Sequence, residues 1–228
     1  MTIETLAEHY RRTLNLEVTA IPSPIDLEDV VAPERDPIFL TMVNPEPAKG
    51  LAVVAHLAEE LSLRRPDLPI LVVESRGTAG QLVACGLRGG FDLRRHENIM
   101  TSGPVPRPRD LFAPARVLLV PSLVEAGARV VAEALLNGVP SLVSDRGGLP
   151  EMCNGAGAVF PLPPALSITD LDPVAPNVVE PWIEAILPWM DDDLYAAESQ
   201  RARDAGGKYR PESLAPQYDE FFARVFTP

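Results

Sequence analysis

The chain has 228 residues, 46% of them apolar, and a formal net charge of −12. That length suffices for one α/β domain with a full core and an appendage, while the acidity argues against DNA, RNA or an anionic membrane as partner. No run of about eighteen apolar residues occurs, which excludes a membrane-spanning helix of that kind.

The N-terminal MTIETLAEHYRR is charged early and lacks the apolar stretch of a signal peptide. From Ile3 to Leu14 the apolar residues Ile3, Leu6, Tyr10 and Leu14 recur at helical spacing. Leu16 to Ile21 is expected as a short strand, and Pro22-Ser23-Pro24-Ile25-Asp26 as a turn. Pro37 to Val43 is the first strand of the main sheet, and Asn44 to Gly50 is the loop beyond its carboxyl end. A helix is predicted from about Gly50 to Arg65, with Leu51, Val54, Leu57 and Leu61 on one face. Then come a strand over Ile70 to Glu74, a helix over Thr78 to Leu87, a weak strand over Asn98 to Thr101 and a short helix over Arg109 to Ala113. Val117 to Val120 and Ser141 to Ser144 are short, β-branched, apolar runs and read as buried strands. The helix between them carries Val130, Val131, Ala134, Leu135 and Leu136 and stops at Asn137-Gly138 with Pro140 beyond. Asp145 to Pro150 is a Gly-rich turn, and Ala158 to Phe160 a last strand. The prolines at 104–108 and 161–176 mark loops, and two or three amphipathic helices fill 178–227. Strands alternating with helices define a Rossmann-like, doubly wound parallel sheet with C-terminal helices. Gly-Xaa-Gly-Xaa-Xaa-Gly is absent, so a nicotinamide cofactor is not expected.

Cys85 and Cys153 stand far apart without metal-ligand spacing and read as reduced thiols of a cytoplasmic protein. His9, His56 and His96 are scattered and are assigned no chemistry. Lysine is scarce, only Lys49 and Lys208 against eighteen arginines. Lys49 sits at a helix start, where the dipole disfavours a cation unless an anion is present. A solvated loop lysine is the plainer reading. Glu125 falls in the loop after the fourth strand, and Glu133 two turns into the helix that follows. Ligands of open α/β sheets bind at such carboxyl ends, and the N–H groups of Ala126, Gly127, Ala128 and Arg129 would make the helix start an anion site. Spaced four apart, Glu125, Arg129 and Glu133 also fit an exposed salt-bridge ladder.

The elements Pro121-Ser122, Glu125, Glu133-Ala134, Gly138-Val139-Pro140 and Gly147-Gly148-Leu149-Pro150-Glu151 occur at separations that resemble the signature of retaining GT-B glycosyltransferases, specifically family four. The resemblance implies that the chain is the C-terminal, donor-binding half of such an enzyme. Residues 36–165 would form the nucleotide-sugar-binding domain, 1–35 the helix, strand and linker leaving the first domain, and 166–228 a loop and helices packed on the same domain. It implies a nucleoside-diphosphate sugar as donor and no metal. Asp170-Leu171-Asp172 and Asp191-Asp192-Asp193, which resemble metal-holding Asp-Xaa-Asp motifs, read instead as solvated loop acids.

The implied roles follow residue by residue. Lys49 would hold the diphosphate, with Ser122 and the start of the helix beside it. Glu133 would accept the ribose hydroxyls, and Glu125 would hold the sugar near its anomeric carbon. Gly103 and Val105 would line the base through backbone atoms. Two departures stand out. Asn44 occupies the place of an arginine, leaving Arg76 or Arg129 to supply the missing charge. Ala126-Gly127-Ala128 replaces Gly-aromatic-Gly. With too few residues before Pro37 for an acceptor domain, the chain is expected to bind donor and to transfer little alone; the acceptor domain would join it in cis or in trans. A non-catalytic nucleotide-binding module is the second reading, and a sugar-nucleotide epimerase the third.

Overall fold

A computed structural model describes residues 3–226. Two helices, α1 (Glu4–Leu14) and α2 (Leu27–Val30), precede β1 (Phe39–Val43). Then α3 (Leu51–Arg64), β2 (Ile70–Val73), α4 (Ala79–Arg88), β3 (Ile99–Ser102), α5 (Pro108–Phe112), β4 (Ala115–Val120), α6 (Arg129–Leu136), β5 (Ser141–Ser144), α7 (Leu149–Cys153) and β6 (Ala158–Phe160) alternate. Helices α8 (Pro176–Ile186), α9 (Asp192–Gly206) and α10 (Pro211–Phe226) follow. Six of the seven anticipated strands form, within two residues of their expected ends. They make one parallel sheet in the order β3-β2-β1-β4-β5-β6.

The side chains of each strand alternate between two apolar layers. Leu40, Met42, Val117 and Leu119 join one layer with Leu57 and Leu61 of α3 and Trp182 of α8. Leu118, Val120 and Val143 join the other with Val131 and Leu135 of α6 and Ala202 of α9. Burial on both faces is what a parallel sheet requires. Trp182 is fully buried and lies 4.8 Å, centroid to centroid, from Phe160. Helix α4 opens with a reciprocal cap: Thr78 Oγ1 accepts from the Gln81 N–H, and Gln81 Oε1 accepts from the Thr78 N–H. Among the described residues, no helix is long and apolar enough to cross a membrane.

Three expectations need correction. Leu16 to Ile21 is not a strand. Neither edge of the sheet reaches it, and side chains hold its backbone instead. Arg11 donates to the Val18 carbonyl, Arg224 to Thr19 Oγ1 at 2.7 Å, and the Tyr218 hydroxyl to the Pro22 carbonyl at 3.0 Å. The Gly-rich turn after β5 ends at Gly148, because Leu149 starts α7 with Pro150 in its first turn, where proline's missing N–H has no helical partner to lose. The expected apolar face of α1 is buried only near its start. Ile3 and Ala7 are covered, while Tyr10 and Leu14 are exposed.

Glu151 fixes that start. Its carboxylate accepts from the N–H groups of Glu4 (2.7 Å) and Thr5 (2.8 Å) and from the Thr5 hydroxyl (2.7 Å). Partial burial alone would push this carboxyl up, but the donors from Thr5 and Glu4 outweigh it and hold the group below the usual carboxylate range. The stabilisation is therefore present above the ordinary glutamate range and lost as pH falls through the lowered folded value. Glu151→Gln should loosen α1 by about 1 kcal/mol, a typical cap loss, at neutral pH and by less in acid. Amide exchange of residues 4–14 at two pH values measures it; equal protection in both proteins at neutral pH would remove the capping role.

Candidate functional site

The strand order reverses between β1 and β4, and open α/β sheets bind ligands at such a switch point. A cavity of about 240 Å3 lies there. Asn44 and Lys49 line it from the loop after β1; Ser122, Glu125, Ala128 and Arg129 line it from the loop after β4 and the start of α6. The two loops are joined by the Leu123 N–H, which donates to the Ala48 carbonyl at 2.9 Å.

Lys49 Nζ lies 2.6 Å from Glu125 Oε2, with the side chains 28% and 13% exposed. The anion that a cation at this helix start requires is thus supplied by Glu125. Arg129 Nε lies 2.7 Å from Glu133 Oε1. The proposed ladder exists only as that second rung, because Glu125 sits in the loop and turns to Lys49 rather than to Arg129. Glu133 lies on the flank of α6, outside the cavity lining, and is 7% exposed as a residue. Burial pushes its carboxyl up, and the Arg129 guanidinium opposes the shift.

Helix α6 begins at Arg129, later than expected. Ala128 is extended (φ −80°, ψ 92°) and cannot join a helix, so Ala126 and Gly127 belong to the loop. No side chain caps this end; the Val131 N–H donates to the Ala128 carbonyl at 2.9 Å, and the N–H groups of Arg129 and Val130 face the open end of the helix. Ser122 is 1% exposed and lines the cavity, and its Oγ has no hydrogen-bond partner.

Asn44 adopts the left-handed conformation, φ 62°. Its Oδ1 accepts from the Gly77 N–H at 2.6 Å, and its Nδ2 donates to Glu46 Oε1 at 2.8 Å. Arg76 meets the same Glu46 oxygen at 3.2 Å. Gly103 and Val105 follow β3, two strands from the cavity, and do not line it; Val105 packs on the core layer that also receives α6. Glu46 was not singled out from the sequence, and the wall residues Leu118, Leu119 and Val130 were read only as parts of a strand and a helix. The acid two positions beyond Asn44 was the available signal for Glu46. The Asp-Xaa-Asp acids do local work. Asp170 accepts from the Ser167 N–H, Asp172 pairs with Arg88 at 2.7 Å, and Asp191 caps α9.

A doubly wound parallel sheet with a cation, an acid and an uncapped helix start at its switch point defines a domain of the Rossmann-like class. The chain belongs to the family described as glycosyl transferases group 1, whose model matches residues 23–165. No curated protein matches in sequence. Among solved structures it is similar to the pneumococcal O-GlcNAc transferase GtfA in complex with UDP and GlcNAc (TM-score 0.75, 15% identity, 99% of this chain and 44% of that one). It is also similar to a glycosyltransferase from Rickettsia africae (0.72, 12%, 98% and 62%) and to sucrose-phosphate synthase from Thermosynechococcus elongatus (0.67, 19%, 99% and 57%). At these identities the likeness is one of fold. The chain spans about half the length of the structures it matches.

Proposed function

We propose that this chain is the donor-binding half of a retaining, metal-independent glycosyltransferase that takes a nucleoside-diphosphate sugar and passes its sugar to an acceptor held by another domain. The observation that carries this reading is the convergence of Lys49, Glu125, the unpartnered Ser122 hydroxyl and the uncapped start of α6 on one switch-point cavity. Transfer breaks the bond between the anomeric carbon and the diphosphate, so charge develops on the leaving oxygen. On this reading Lys49 and the N–H groups of Arg129 and Val130 meet that charge, and preorganised donors of this kind are usually the largest catalytic term. Glu125 orients the sugar hydroxyls and Glu133 accepts the ribose hydroxyls, while the backbone at Gly103 and Val105 takes the base. Residues 36–165 are the donor domain, 1–35 the segment entering it, and 166–228 the helices packed on it. Alone, the chain binds donor and transfers little. Its two buried free thiols support a cytoplasmic setting.

Calorimetry with UDP, GDP, ADP and TDP tests the reading. Wild-type protein should bind at least one, and Glu133→Ala should weaken it about ten-fold, the loss of a hydrogen-bonded carboxylate. Unchanged affinity in that variant would count against the assignment. Asn44 lines the cavity without a charge, and its side chain bonds Gly77 and Glu46; this favours a second reading, a nucleotide-binding module without transfer. Adding an acceptor domain restores transfer under the first reading and does nothing under the second.

A further inference from the structure

We infer that Arg76, reached from the neighbouring strand β2, is the cation that lets this site distinguish a diphosphate from a monophosphate, with Glu46 as its resting partner; this rests on the donor-site reading above. The charge balance of the cavity points to it. Lys49 is paired with Glu125 at 2.6 Å and Arg129 with Glu133 at 2.7 Å, so each cation of the lining already faces an acid. A nucleoside diphosphate brings several negative charges into a cleft whose cations are already paired, and each cation gained there counts for more than it would in bulk water.

Arg76 can supply one. Its side chain is 76% exposed, and its ion pair among the described residues is with Glu46 at 3.2 Å, longer than either cavity pair. Glu46 Oε1 in turn accepts from Nδ2 of the cavity-lining Asn44 at 2.8 Å. The guanidinium is thus two hydrogen bonds from the cavity wall. Its backbone is held there. The Gly77 N–H donates to Asn44 Oδ1 at 2.6 Å, and a Cβ at Gly77 would lie 2.4 Å from the Pro45 carbonyl, so the β2 loop closes directly on the β1 loop. The left-handed turn at Asn44 makes that contact possible. A long, exposed arginine on a fixed backbone, loosely paired, can exchange a surface ion pair of small net worth for a bidentate phosphate contact.

The test titrates UDP and GDP, and separately UMP and GMP, into wild-type protein and three variants by calorimetry. Arg76→Ala should weaken the bound diphosphate about ten-fold, as loss of one charged hydrogen-bonding group does, and leave the monophosphate within about two-fold. Arg76→Lys should fall between wild type and Arg76→Ala for the diphosphate, since the charge survives but the bidentate fork is lost. Glu46→Gln should tighten the diphosphate, because the competing carboxylate is gone; a purely structural Glu46 would not produce that gain. Equal losses for diphosphate and monophosphate, or an Arg76→Ala variant with wild-type diphosphate affinity, would overturn the role of Arg76 and leave the donor site standing. Absence of any nucleotide binding by wild-type protein would instead overturn the donor-site reading itself. Arg76 is exposed, so its variants are expected to fold, and circular dichroism confirms it.

Discussion

Lys49→Ala should weaken nucleoside-diphosphate binding by about a hundred-fold, the scale of truncating one partner of a close charge pair. Two effects act in the same direction. The cation that faces the ligand disappears, and Glu125, 13% exposed, is left without its partner 2.6 Å away. An uncompensated carboxylate then lines the cavity and repels the phosphates. The double variant Lys49→Ala/Glu125→Ala separates the two. It should recover part of the lost affinity and most of any lost thermal stability, because no orphaned charge remains. Calorimetry on the single and double variants gives the coupling between the residues. A single-variant affinity within two-fold of wild type would mean that Lys49 does not face the diphosphate.

Gly147→Ala should be the most destabilising single-methyl change in the turn after β5. The residue has φ 55°, and an added Cβ would lie 1.8 Å from the Glu125 carbonyl oxygen. That oxygen is backbone, so no side-chain rotation relieves the overlap. The neighbouring Gly148 N–H already donates to the same oxygen at 3.2 Å. The loop carrying Glu125 must therefore move, and the left-handed conformation costs a further ~1 kcal/mol for a residue with a Cβ. A total of about 3 kcal/mol or more corresponds to a fall in Tm of roughly 6–12 °C for a domain of this size. Gly155→Ala is the control: its φ is 80°, but nothing lies within 4 Å of the added carbon. It should lose only the conformational part. Thermal melts of the two variants should differ severalfold in their shifts; equal shifts would show that the Glu125 loop yields without cost.

The sheet was legible because its central strands are short apolar runs punctuated by proline, glycine or a charged loop, and burial on both faces keeps their polar residues few; β3, with Thr101 and Ser102 and two exposed positions, was the weak one. Helices α3 and α6 announced themselves through an apolar face and an Asn-Gly stop. Leu16 to Ile21 misled for the converse reason. Its residues have strand propensity, but propensity does not say whether a sheet edge is near, and the prolines at 22 and 24 with the side chains of Arg11 and Arg224 settled its path. Within the site, the positions of Lys49, Ser122 and Glu125 could be placed from loop and strand ends alone. Their partners could not. Lys49 meets Glu125 across 76 residues, and Arg76 meets Glu46 across 30; both contacts exist because β1 lies between β2 and β4, an order that periodicity does not encode. The shift of the α6 start from Ala126 to Arg129 turned on one dihedral at Ala128, which an alanine does not advertise.

The Gly147–Glu151 segment grips two distant parts of the chain at once. Its glycines press on the backbone of Glu125, and its terminal acid holds the first turn of α1. The opening helix and the loop that carries Glu125 consequently share one anchor. A change in that segment therefore bears on two places at once, the first turn of α1 and the backbone of the loop that carries Glu125.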